Sequence, residues 1–332
     1  MSRLLPAFLL ALYAAVGFAT SALADSGGVV RFATLPKPGP GFPEGIAADA
    51  GGAIHVATFD FSTTNVIYVF GRNGKVDETI SLPAGVVPLG LEFDGAGNLY
   101  VADFFNGSIL MFTPPFNSGS VPAQTFAVCG GVLAGCGLNA ITFDAGGDLY
   151  VSDSFGGNVF KVDLPLGTVS TFIDGTNPLY EQLKPGNHGF PPFGANGLAF
   201  DAAGAHLYIA NTADDRVLKY NVAAGTLVVF AESVNGADGI AFDSQGRLWV
   251  AANQADEVVA LNADGRVVER RGSFEGVGTD GAAKGLIFPA SIVISRGNIY
   301  VTNLALALTA AVGDEPEEDV NTYTVSRFRL PR

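Results

Sequence analysis

Six short segments carry the residues whose chemistry could matter, and they align with one another: PEGIAAD from Pro43, PLGLEFD from Pro88, LNAITFD from Leu138, ANGLAFD from Ala195, ADGIAFD from Ala237 and PASIVIS from Pro289. Their second positions hold Glu44, Leu89, Asn139, Asn196, Asp238 and Ala290. Four of these offer a side-chain oxygen, two from carboxylates and two from amides. A hard divalent cation, calcium foremost, takes such a mixture at roughly 2.3–2.6 Å, with waters completing its shell. Without a cation, two carboxylates facing each other across a narrow space repel, and one keeps a proton. Asn-Gly and Asp-Gly are also ordinary turn dipeptides. Leu89-Gly90 stands in the same place, however, so the turn itself does not require an oxygen.

The elements that must position these residues come from the same repeat. Each segment belongs to a pattern, apolar-x-G-apolar-x-apolar-D-x-x-G-x-apolar-aromatic-apolar, with Asp49, Asp94, Asp144, Asp201 and Asp243 in register and Ser295 in the sixth copy. This reads as two strands joined by a D-x-x-G turn. Third strands follow (NVIYVF, SILMF, NVFKV, RVLKY, EVVAL, TVSRFRL), and so do fourth strands in the first five copies (ETISL, QTFAV, VSTFI, TLVVF, VVERR). Four antiparallel strands per copy make a propeller blade. The expected fold is therefore an all-β, six-bladed β-propeller, with an open solenoid as the structural alternative. The sixth copy has no fourth strand and GVVRFATL precedes the first, so the N-terminal strand is expected to close the ring and cover an open edge. In a closed ring the second positions line the central channel at one height.

Composition agrees. In 332 residues, 48% are hydrophobic, 15% charged and 43 are Gly, which suits short strands and tight turns and excludes coiled coil, collagen and disorder. Eighteen Lys and Arg against 32 Asp and Glu give a net charge of -14, which argues against nucleic acid and anionic membranes as partners. Residues 1–24 place Arg3 before an apolar run and end in Ala22-Leu23-Ala24, the form of a secretory signal peptide cut after Ala24. A membrane anchor is the alternative, but the run is shorter than a bilayer requires. The expected mature protein is one soluble domain, residues 25–332, a secreted or periplasmic monomer with no membrane partner. In an oxidising compartment Cys129 and Cys136 are expected to pair across CGGVLAGC. Free thiols or a metal site are the alternatives, the latter opposed by the absence of a nearby His.

The repeat, with PEG at Pro43, ANGLAFD at Ala195 and ADGIAFD at Ala237, resembles the gluconolactonase, regucalcin and luciferin-regenerating enzyme family across roughly Val29 to Pro331. The related N-H-L-repeat propellers share the repeat without those particular oxygens. The resemblance implies one divalent metal, usually Ca²⁺, with Mn²⁺ or Zn²⁺ possible, held by residues matching Glu44, Asn196 and Asp238. Asn139 matches a further channel residue that contacts metal, water or substrate. The implied activity is hydrolysis of a lactone or related ester, with Asp238 as proposed general base, although a cation beside it weakens a carboxylate as a base. Two departures point to a more apolar substrate: Gly137 replaces an Arg of the sugar lactonases, and Leu89 replaces a catalytic His of paraoxonase-like enzymes. A non-enzymatic binding propeller and a calcium-dependent phosphotriesterase or arylesterase are the alternatives.

Of the three histidines, His55 aligns with Tyr100 and Trp249 and is expected to pack, and His206 falls at the far end of its blade. His188, in KPGNHGFPPFGAN, lies in a loop on the same face as the expected metal and is a second catalytic candidate. Insertions from Gly175 to Phe193 and from Gly272 to Phe288 open on that face and read as lids. Phe59, Phe104, Phe105 and Phe155 either wall the channel or pack between blades. The acidic run Gly313 to Asp319 reads as a solvated loop.

Overall fold

The computed structural model describes residues 28–186, 192–306 and 320–331. Blade one comprises β2–β5 (Pro43–Ala48, Ile54–Thr58, Val66–Phe70, Val76–Ser81), and blade two β6–β9 (Pro88–Phe93, Leu99–Asp103, Ser108–Phe112, Gln124–Ala127). Blade three comprises β10–β13 (Leu138–Phe143, Leu149–Asp153, Asn158–Asp163, Thr168–Ile173), and blade four β14–β17 (Ala195–Phe200, His206–Asn211, Arg216–Asn221, Thr226–Glu232). Blade five comprises β18–β21 (Ala237–Phe242, Leu248–Ala252, Glu257–Leu261, Val267–Arg271). A hairpin, β22 and β23 (Phe274–Val277, Ala283–Gly285), fills the second long insertion. Blade six takes β24–β26 (Pro289–Ser295, Asn298–Asn303, Thr324–Arg329) and completes its sheet with β1 (Val30–Thr34). All pairings within the blades are antiparallel, and β1 runs beside β26 from Val30↔Arg327 to Thr34↔Thr324. The all-β six-bladed propeller and its N-terminal closure are as the repeat predicts.

The repeated Asp builds the inner turn of blades one to five. Asp94 Oδ1 accepts the Ala96 and Asn98 N–H groups, and Asp94 Oδ2 accepts the Tyr100 hydroxyl at 3.3 Å. Asp243 does the same for Gln245 and Arg247 and takes Trp249 Nε1 at 2.9 Å. One side chain thus closes the turn and pins the aromatic of the next strand. His55 occupies that aromatic position in blade one: it is buried, edge-on to Phe93 and Phe116, with Nε2 3.5 Å from Asp49 Oδ2. It packs, as expected. His206, partly exposed, pairs with Asp201 at 2.8 Å in its turn.

Apolar side chains between neighbouring blades form the core. Ile67, Leu91, Leu99 and Phe112 join blades one and two, and Trp249, Ile292, Ile299 and Phe328 join blades five and six. Burying each such side chain contributes about 1.5–3 kcal/mol.

The inner strands share a distortion that decides where the site lies. In all six blades the register slips between the first and fourth residues of the inner strand, as at Pro43/Ile46, Ala195/Leu198 and Ala237/Ile240. The same bulge lies at Pro88/Leu91, Leu138/Ile141 and Pro289/Ile292. A bulge frees its residues from the ladder and re-aims a side chain, here the second position of every repeat. Glycine follows in blades one, two, four and five because the blades meet there: a Cβ on Gly45 would lie 1.7 Å from the Leu89 carbonyl oxygen, and one on Gly197 2.2 Å from that of Asp238.

Candidate active site in the channel

Glu44, Asn139, Asn196 and Asp238 line one cavity of about 260 Å³ on the axis, together with Leu89, Phe104 and Phe155. All four polar groups are buried, at 3–5% exposure. The structure thus brings together every described residue that the sequence nominated for metal or substrate. His188 lies outside the described residues, as do residues 1–24, read from the sequence as a signal peptide, and the acidic run.

Hydroxyl groups hold the bulges from the preceding blade. Thr302 Oγ1 donates to the Glu44 carbonyl, Ser152 Oγ to that of Asn196, and Thr212 Oγ1 to that of Ala237. The inner strands of Glu44, Asn196 and Asp238 are therefore each referenced to a neighbouring sheet as well as their own.

A second ring of side chains, just beyond the next strand of each repeat, meets the first: Phe59, Phe104, Ser154, Thr212, Asn253 and Leu304. In blades three to five these residues are polar and orient the candidate ligand of their own blade. Asn139 Nδ2 donates to Ser154 Oγ at 3.1 Å, Asn196 Nδ2 to Thr212 Oγ1 at 2.9 Å, and Asn253 Nδ2 to Asp238 Oδ2 at 3.0 Å. Spending the amide N–H groups this way leaves amide oxygens for the channel. In blades six, one and two the second ring is Leu304, Phe59 and Phe104, which cluster with Leu89, Ala290, Val87, Phe155, Phe193 and Phe288. The chamber has a polar half and an apolar half, with Glu44 the one carboxylate on the apolar side among the described residues. Sequence reasoning missed Ser154, Thr212 and Asn253. The available signal was their common place after Asp153, Asn211 and Ala252.

The electrostatics are unresolved within the protein. Among the described residues, Glu44 Oε2, Asp238 Oδ1 and Asn253 Oδ1 are buried without a hydrogen-bond partner. Burial, then the charge of Asp238, raises Glu44 well above the usual carboxylate range. Burial pushes Asp238 up to about 7, partly offset by the amides of Asn253 and Asn196. Orphaned anionic oxygens in a buried site cost free energy unless something positive joins them. No cluster of three or more His, Cys, Asp and Glu gathers among the described residues, so any ion would rely on the amides.

The Cys129–Cys136 bond is formed. It closes a loop containing a short 3-10 turn, Val132–Ala134, whose Val132 packs on the apolar half of the chamber. Gly137 lies beneath the aromatic rings: a Cβ there would meet Phe104 at 2.6 Å and Phe155 at 3.2 Å. Phe105, in contrast, is exposed and lines a different cleft with Phe61 and Asn65.

Comparison with known proteins now adds to the geometry. The family model described as SMP-30/Gluconolactonase/LRE-like region matches residues 193–272. The chain carries a gluconolactonase-like region. It includes Asn196 and Asp238, with their partners Thr212 and Asn253. A luciferin-regenerating enzyme structure is 16% identical, covering 90% of this chain and 95% of that one at a TM-score of 0.63. A gluconolactonase from Xanthomonas campestris is 14% identical, with 91% and 89% covered and a TM-score of 0.63. Virginiamycin B lyase from Staphylococcus aureus is 13% identical, with 91% and 98% covered and a TM-score of 0.56. No curated protein matches the chain in sequence. These likenesses establish the fold, which hosts more than one reaction.

Proposed function

We propose that the protein is a calcium-dependent hydrolase that opens a lactone or related ester, exported to a periplasm or outside the cell and acting as a monomer. The observation that carries this reading is the pair of orphaned oxygens, Glu44 Oε2 and Asp238 Oδ1, in one buried chamber beside two oriented amides. That donor set suits a hard cation. Glu44, Asn196 and Asp238 would hold it, with Asn139 next in the ring. Bound there, Ca²⁺, or Mn²⁺ or Zn²⁺ in its place, would supply a positive centre for the charge that develops on an attacked ester carbonyl.

The chain's own groups do the rest. Asn253 fixes the Asp238 carboxylate through Oδ2; with Oδ1 given to the cation, Oδ2 would take a proton from the attacking water and return it to the ring oxygen as the acyl C–O bond breaks. Thr212 and Ser154 keep the amide oxygens of Asn196 and Asn139 turned inward. The phenylalanines exclude bulk water, which strengthens every polar interaction in the chamber. The gluconolactonase-like match over Asn196 and Asp238 supports the lactonase choice. The leader at residues 1–24 and the disulfide support an oxidising, exported setting.

A panel of γ- and δ-lactones, aryl esters and phosphotriesters, assayed with and without EDTA, tests the reading. Lactone turnover abolished by chelation and restored by calcium is the expected result. Hydrolysis of none of them, with thermal unfolding indifferent to chelation, would leave a non-enzymatic binding propeller. Turnover of phosphotriesters or aryl esters alone would move the activity to that class.

A further inference from the structure

We infer that the apolar half of the chamber is a substrate subsite, and that the lactone opened here carries an alkyl or aryl arm in place of the hydroxyls of a sugar. This rests on the hydrolase reading above and narrows its substrate.

Three observations carry it. First, the two halves of the ring are chemically opposite at matched positions. Blades three to five offer Ser154, Thr212 and Asn253, whereas blades six, one and two offer Leu304, Phe59 and Phe104 at the same places. Second, the rings are packed into a continuous wall. Phe59 meets Phe104 edge-on at 6.2 Å, Phe104 meets Phe155 at 5.5 Å, and Phe155 stacks on Phe193 at 5.9 Å. Gly137 leaves the room that Phe104 and Phe155 occupy. Third, the chamber has spare volume: about 260 Å³, against the roughly 150 Å³ of an apolar cavity that takes up benzene.

Binding orientation follows from the division. An ester carbonyl placed among Asn139, Asn196 and Asp238 leaves the far side of the ring against Leu89, Phe104 and Phe155. A sugar lactone in that pose would bury hydroxyls with no donor or acceptor opposite them, among the described residues, except Glu44, and unmet buried hydroxyls are heavily penalised. An alkyl or aryl arm loses nothing there and gains its transfer from water.

The test uses the full mature chain with calcium and two matched series. One is δ-lactones with alkyl arms of increasing length, set against glucono-δ-lactone. The other is the corresponding δ-lactams, which resist hydrolysis, titrated by calorimetry. Lactam affinity is expected to rise roughly three- to fourfold per methylene until the chamber fills, with kcat/KM for the lactones following. Phe104→Ser and Leu89→Ser should flatten that slope about tenfold over the series. The slope on the unmodified chain stands even if those variants fold poorly. A flat slope, or preference for glucono-δ-lactone, overturns the subsite while leaving hydrolysis standing. Length-dependent lactam binding without turnover of any lactone supports the apolar subsite and removes the hydrolase reading.

Discussion

Glu44 and Asp238 define the residue scale. Each carboxyl is raised in the folded chain, Asp238 to about 7, chiefly by burial. A carboxyl raised on folding contributes stability below its unfolded value, and loses that contribution as pH rises through its folded value. The turn aspartates Asp49, Asp94, Asp201 and Asp243 are lowered by their hydrogen bonds and act in the opposite sense, losing their contribution in acid. Stripped of metal, the protein is therefore expected to melt progressively lower from pH 5 to pH 8, and calcium should cancel most of that fall. Glu44→Gln should raise the metal-free melting temperature at pH 8 and abolish calcium's increment; unfolding curves at both pH values read this directly. Glu92 is the natural control. Burial pushes it up to about 7 too, but in the lower channel, where its Oε1 accepts the Phe93 N–H. Glu92→Gln should stabilise at pH 8 without touching the response to calcium.

At the scale of the element, the bulged inner strand and the residue beyond its partner act together. Thr212 ties Asn196 Nδ2 on one side and the Ala237 carbonyl on the other. Thr212→Val keeps the shape and removes both bonds, and the loss of such outer support typically weakens metal binding 10- to 100-fold. The expected outcome is calcium affinity down about tenfold with the fold intact, measured by titration beside a circular dichroism melt. The strands and the first ring were legible because rotation repeats them: D-x-x-G marks five of the six turns, and Gly45, Gly90, Gly197 and Gly239 mark four of the six bulges. The second ring was not legible in the same way. Its residues run from Phe to Asn, and only the bulge shows which of them face the first ring. The inward aim of Phe104 and Phe155, open between channel wall and ordinary packing in the sequence, was decided by the space above Gly137.

For the molecule as a whole, ring closure makes the site possible, because ligands from blades one, four and five meet only if the ring is shut. Strand β1 shuts it. Phe32 on that strand is buried against Tyr300 at 4.8 Å and Phe70 at 6.4 Å, linking blades six and one. Phe32→Ala should cost about 3–5 kcal/mol, as for any core aromatic, seen in urea unfolding. It should also weaken calcium binding although no ligand is touched; a destabilised variant that binds calcium normally would show that closure does not govern the site. The whole account comes down to one measurement, calorimetric titration of Ca²⁺ into chelator-stripped protein beside Glu44→Gln and Asp238→Asn. The prediction is a single site per chain that both substitutions eliminate. No heat and no thermal stabilisation with Ca²⁺, Mn²⁺ or Zn²⁺, or binding that survives both substitutions, would contradict it.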